Sequence, residues 1–152
     1  MYGRLYSVSF SAVTLSAAQD LFELQPADDK PIIIHKVVIA PDSSETNQQV
    51  KVTVKRYSGA FTSGSAGSTA TPVPLDSHDA AAGFACEINN TTRISGGTAV
   101  TIVADSFPSQ GGWEYMPDVR QRPKGYQAEA LVVGVEEATS AAYSGYAIVE
   151  EI

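Results

Sequence analysis

Apolar and polar side chains alternate with a period of two through much of this chain, and that restricts the fold more than any other feature. In Val50-Lys51-Val52-Thr53-Val54-Lys55 the valines fall on one side of an extended backbone and Lys51, Thr53 and Lys55 on the other. This is the pattern of a strand with one buried and one wet face. Tyr6, Val8 and Phe10 alternate with Ser7 and Ser9 in the same way. The run from Ile32 to Ile39 is β-branched and nearly continuous, which predicts a central strand covered on both sides. Further strands are predicted over residues 84–88, 91–94, 99–104, 128–135 and 145–151, with a short one at 21–24.

Turn composition separates these runs. Residues 26–31, 41–47, 96–97, 108–112 and 117–125 are rich in Pro, Gly, Asn, Asp and Ser. The tract from Ser58 to Thr71 is almost entirely Ser, Gly, Ala and Thr around Phe61, and predicts a long flexible loop or an arm that orders on contact. Helix is scarce: residues 15–20 and 76–82 suffice for a turn or two each, with Asp76 or Ser77 as N-cap of the second. Eight or nine short strands with long connections predict an all-β, antiparallel two-sheet sandwich, jelly-roll-like, with Greek-key links. With no internal repeat and no dividing linker, residues 1–152 read as a single domain.

The chain carries 17 acidic against 10 basic residues, a formal net charge of −7. That balance argues against a nucleic-acid partner, which selects clustered basic surface. Its one cysteine, Cys86, excludes an internal disulfide framework and predicts a small buried hydrophobe. No long apolar run follows Arg4, so the start does not read as a signal peptide, and the expected site of synthesis is a cytoplasm. The longest apolar stretch, residues 32–40, is interrupted by His35 and Lys36 and is too short to span a bilayer, so no membrane partner is expected.

No catalytic constellation emerges, and neither an enzyme nor a cofactor is expected. Asp76, His78 and Asp79 come closest to a metal group, but His35 is the only other histidine and helix capping explains the aspartates equally well. No G-x-S-x-G elbow is present, and His35, within an apolar strand, reads as a hydrogen-bonded core or interface residue. Glycoside hydrolysis needs two facing carboxylates, and no pair is singled out by spacing. Glu136-Glu137 and Glu150-Glu151 sit at strand ends, where a solvated edge is the default and charge discourages aggregation. Asn89-Asn90-Thr91-Thr92 reads as a polar hairpin turn.

Trp113-Glu114-Tyr115-Met116-Pro117, followed by Arg120, Arg122 and Lys124, has the composition of an interface or a sugar-binding groove. The segment from Glu129 onward holds acids and no base, so a basic loop beside it offers pairing between identical subunits. A Trp–Tyr plug in the core with a solvated loop after it explains the same residues. Tyr2, Arg4 and Phe61, on a possible N-terminal arm (residues 1–5) and the small-residue loop, complete the candidate interface with Trp113, Tyr115, Arg120, Arg122 and Lys124.

Tyr6–Phe10, Ala17–Leu24, Pro26–Pro31, Pro72–Leu75, Ala80–Phe84, Asn89–Thr92 and Gly112–Tyr115 resemble a family of small virion-associated structural proteins of tailed bacteriophages. The likeness runs over nearly the whole chain, and no functional residue carries over by motif. The related structural class includes jelly-roll decoration, or cement, proteins that sit as trimers on the capsid exterior. The resemblance therefore implies a non-enzymatic virion protein, made in a bacterial host cytoplasm. It would bind the major capsid protein and stabilise the head as a homo-oligomer, with a trimer favoured. The other reading is a tail- or fibre-associated module that recognises host surface glycans through Trp113, Tyr115 and Tyr126.

Overall fold

A computed structural model describes residues 3–44, 46–139 and 141–152. Twelve strands form: β1 (Arg4–Thr14), β2 (Gln19–Gln25), β3 (Ile32–Pro41), β4 (Gln49–Thr62), β5 (Ser68–Ala70), β6 (Val73–Pro74), β7 (Ala85–Asn90), β8 (Ser95–Pro108), β9 (Trp113–Tyr115), β10 (Lys124–Gly125), β11 (Ala130–Val135) and β12 (Ala142–Glu151). A single 3-10 turn, Val119–Gln121, is the only helical element among the described residues. One sheet runs β10-β3-β12-β1-β6, with β9 also on the free side of β3; the other runs β5-β7-β2-β11-β4-β8.

All the strand pairs among the described residues are antiparallel, and the order is that of a jelly roll. β12 lies between β1 and β3 in one sheet, while β11 lies between β2 and β4 in the other. Early strands thus pair with late ones, and the chain changes sheet at each of its first three connections. The expected two-sheet sandwich is what forms.

The alternation explains the core. Tyr6, Val8 and Phe10 of β1, with Ile32, Ile34, Val37 and Ile39 of β3, face Val50, Val52 and Val54 of β4 and Leu131, Val133 and Val135 of β11 in one buried cluster. Phe10 and Phe22 meet across the two sheets with ring centroids 5.5 Å apart. Each such side chain contributes about 2 kcal/mol by leaving water.

Several segments differ from their sequence reading. β3 is not covered on both sides: Ile33, Lys36 and Val38 are half-buried on the outer face, and only the other face enters the core. Ser58 to Thr62 is not a loop but the end of β4, laddered to Ser95–Thr98 of β8, and residues 68–70 form β5 against β7. The register shift between Ser58 and Phe61 uses glycine on both strands: Gly59, Gly96 and Gly97 take φ values of 76°, 74° and 61°. Residues 91–94 are not a strand but a connection between β7 and β8, with Thr92 in an isolated bridge to Ser65. Residues 15–20 and 76–82 are not helical; the Asp76 carboxylate accepts from His78 N at 2.9 Å, closing a local turn instead. Arg4 and Leu5 already belong to β1 rather than to an arm, while Met1 and Tyr2 lie outside the described residues.

Candidate functional site

β9 is a three-residue strand that docks on the edge of β3, pairing Trp113 with Ile39 and Tyr115 with Val37. Gly112 makes the approach possible: its φ is 72°, and a Cβ there would collide with the Ile39 carbonyl oxygen. Ile39 and Val37 point inward, so their partners do too. Trp113 is only 7% exposed, belongs to the core cluster and donates from Nε1 to Asp105 Oδ2 at 3.1 Å. Tyr115 stacks on it, with centroids 5.5 Å apart and planes 4° from parallel, and burial raises its phenol pKa. The pair is therefore a plug, and Trp113 offers no open face on which a sugar ring can stack.

Beyond β9 the chain leaves the sheet and exposes its apolar groups. Met116, Val119 and Tyr126 are 63%, 75% and 53% exposed. Arg120 is exposed on the 3-10 turn, and Lys124 lies over the Tyr126 ring at 5.3 Å. Arg122 turns back: its Nε donates to Pro117 O at 3.4 Å and its Nη1 to His35 Nδ1 at 3.0 Å. Because Nδ1 accepts, His35 carries its proton on Nε2 and donates it to Glu150 Oε2 at 2.6 Å. Burial pushes the Glu150 carboxyl upward. The Gly3 amide, His35 and the nearby Arg122 outweigh it and leave the pKa below the ordinary value. This Arg–His–Glu chain holds the 116–126 segment against the outer side of β3.

The other candidate interface residues divide accordingly. Phe61 packs on a small outer cluster with Tyr57, Ile94, Ala130 and Val132, and Arg122 is committed to His35. Arg4 sits 3.5 Å from Asp79, half-exposed. Arg120 and Lys124 remain at the surface beside the exposed apolar groups, and Tyr2 is outside the described residues. Of the acids expected to form a solvated edge, Glu137 is exposed, but Glu136, Glu150 and Glu151 are engaged. Glu150 serves His35, and Glu151, 6% exposed, accepts from Gly83 N and Phe84 N, each at 2.9 Å. Glu136 accepts from Arg93.

Two polar clusters on the outer face of the second sheet have no signal in the sequence. In the first, Arg93 donates to Asp20 at 2.9 Å and, through both terminal nitrogens, to Glu136 at 2.6 and 3.2 Å. Arg93 holds the Glu136 carboxyl down at about 2. In the second, β2 and β7 place Glu23 and Glu87 directly opposite each other. Like charges in that position repel, and the protein meets this with hydrogen-bond donors to both carboxyls. Ser63 Oγ donates within reach of both carboxyls, and Gly64 N donates to Glu23 at 2.9 Å. Burial pushes both carboxyls up; the Ser63 and Gly64 donors overcome it at Glu23, which falls below its ordinary pKa, while Glu23 drives Glu87 further up.

The pair edges a cleft of about 320 Å³ that also touches Thr69 and Cys86, whose thiol burial pushes up to about 12. Both carboxyls converge on the one Ser63 hydroxyl, which leaves no room for a glycosidic bond between them. Their role here is to tie residues 63–64 to the sheet.

Glu87→Gln tests that clamp. A folded pKa above the unfolded one gives stability present at low pH and lost as pH rises through the folded value. Removing that charge is therefore expected to raise the melting temperature at neutral pH by about 2 °C. The gain should vanish as pH falls into the ordinary carboxylate range, and an equal gain at both pH values would contradict a Glu87 pKa raised by burial and by Glu23.

Searches against protein-family models, curated proteins and solved structures find no match for this chain.

Proposed function

We propose that this chain is a non-enzymatic structural protein of a bacteriophage virion, a jelly-roll decoration protein that binds the major capsid protein on the capsid exterior. The observation that carries the reading is the 116–126 segment. It exposes Met116, Val119 and Tyr126 beside Arg120 and Lys124, in a chain of net charge −7. Met, aromatic residues and Arg are the side chains enriched at protein interfaces. The plug of Trp113 and Tyr115 on one side and the Arg122–His35–Glu150 chain on the other present these groups in a fixed arrangement, so little ordering cost attends docking.

Decoration asks for no turnover. It asks for a rigid body, a modest contact and many copies on one lattice, where avidity makes weak contacts persistent. The glycan-binding alternative loses its principal platform with Trp113 in the core.

The test is quantitative mass spectrometry of purified virions against the major capsid protein. Hundreds of copies per particle are expected, and absence from the particle would overturn the proposal. In add-back to stripped capsids, Val119→Asp with Tyr126→Ala is expected to lose binding by about tenfold or more while the sandwich melts unchanged.

A further inference from the structure

His35 owes its position to a β-bulge. Lys36 stands opposite Ile148 of β12 and Ile34 opposite Val149, so His35 is the extra residue between them, without a partner in that ladder. Bulges re-aim the side chain they carry. This one sends the imidazole to the outer side of β3, half-buried, between an acid and a base on two other elements. The partners fix its charge state. Arg122 Nη1, 3.0 Å from Nδ1, can only donate, so Nδ1 is bare and the ring neutral. A second proton would sit on Nδ1, facing the guanidinium N–H and adding a positive charge beside one already there. Arg122 would then keep only its long bond to Pro117 O, at 3.4 Å.

We propose that His35 is a pH-operated latch: its neutral form holds Arg122 and the segment 116–122 against β3, and protonation at Nδ1 expels Arg122 and frees that segment. Histidine is the side chain whose ordinary charge change falls between about pH 5 and 8. Glu150 does not take the proton first, because its carboxyl lies below the ordinary pKa and stays ionised in that range. It holds the protonated ring in place by an ion pair, so Arg122 is the partner that leaves. Among the described residues, Glu150 and Arg122 are the charged groups in hydrogen-bond contact with the ring. The other charges on the surrounding elements are engaged elsewhere or exposed. Lys36 lies over the Tyr146 ring and Lys124 over Tyr126, and Glu151 turns to Gly83 and Phe84. Glu114, Asp118 and Arg120 are exposed.

The latch is a property of the free chain and stands or falls without the virion reading. Where that reading also holds, the surface of Met116, Val119 and Tyr126 is ordered near neutrality and loosened in mild acid.

Nuclear magnetic resonance of the labelled full chain, titrated from about pH 7.5 to about pH 5, is the test. His78 is the internal control, because its side chain is 95% exposed and contacts Asp76. Resonances of residues 116–122 are expected to move with the midpoint of His35 and not with that of His78. The Gln121 and Ile34 amides, which donate to Asp118 O and Pro123 O, report the loosening. Their protection is expected to fall about tenfold across the titration, after correction for the intrinsic effect of pH on exchange. His35→Gln keeps one acceptor and one donor but cannot titrate, so it should abolish both responses. Arg122→Ala should give the loosened segment already at neutral pH. Resonances that stay still while His35 protonates would overturn the proposal, as would a His35 that stays neutral throughout or a response that survives in His35→Gln. If His35→Gln fails to fold, the comparison of His35 with His78 in the unaltered chain decides alone.

Discussion

Replacing Arg93 with alanine is expected to cost about 3–5 kcal/mol of folding stability, the range for removing one partner of a buried ion pair. Asp20 is the reason. It is 1% exposed, and burial already raises its pKa despite the Ile94 amide and the Arg93 guanidinium that favour its charge. Without Arg93 the Asp20 carboxylate is left buried with one backbone donor, Ile94 N at 2.8 Å. For a domain of this size the loss corresponds to a melting temperature lower by about 10 °C.

The deficit should depend on pH. Glu136, held at about 2, contributes stability that is present above its unfolded pKa and lost as pH falls toward 2. Asp20, raised further without its partner, loses stability as pH rises. Both effects make the deficit of Arg93→Ala larger at neutral pH than in acid. Gly134→Ala is a companion test, because a Cβ there would lie 2.5 Å from Arg93 Nη2 and displace the guanidinium without removing it. Urea titrations at pH 7 and pH 3 measure all of this. A loss below about 1 kcal/mol, the value of a surface pair, would mean that the cluster is solvated.

Glu151→Ala is expected to cost about 3 kcal/mol, since it strips two backbone N–H groups of a charged acceptor. The carboxylate reaches from the end of β12 to Gly83 and Phe84, across 67 residues of sequence. Phe84 itself is buried, 5.7 Å from Tyr6 in an edge-to-face contact, and the Tyr6 hydroxyl donates to Ala80 O at 2.9 Å. Losing Glu151 therefore loosens residues 76–84 before it unfolds the sandwich. Limited proteolysis should find new cleavage there, and Glu151→Gln, which keeps an acceptor oxygen, should show about half the loss. Equal losses in the two variants would place the effect in packing instead.

Most of the strands were legible because alternation is a local signal. Val50, Val52 and Val54 announce their buried face within six residues, and no distant partner is needed to interpret them. The polar clusters were not legible because each depends on register. Glu23 and Glu87 become neighbours only when β2 pairs β7 in one alignment out of many. Arg93 lies in the connection between β7 and β8, 73 residues from Asp20. The acids at 136, 150 and 151 look solvated at strand ends until the topology brings Arg93, His35 and the Gly83 amide to them. Trp113 was ambiguous for a different reason: its inward direction follows from pairing with Ile39, which Gly112 permits and the local sequence does not reveal.

The pairing of the first long strand with the last bears on how the protein comes into being. Arg4 ladders with Glu151 and Tyr6 with Val149, so β1 gains its principal neighbour only when nearly all the intervening chain has been made. β2 can pair with β7 once residue 90 is made, but it waits for β11 on its other side. While the ribosome works, the apolar faces of β1 and β2 have no native cover, and closing such long loops is slow. The sandwich is therefore expected to close only after β12 has been made, and slowly for its length. Until then its exposed apolar surface and unpaired strand edges are open to aggregation.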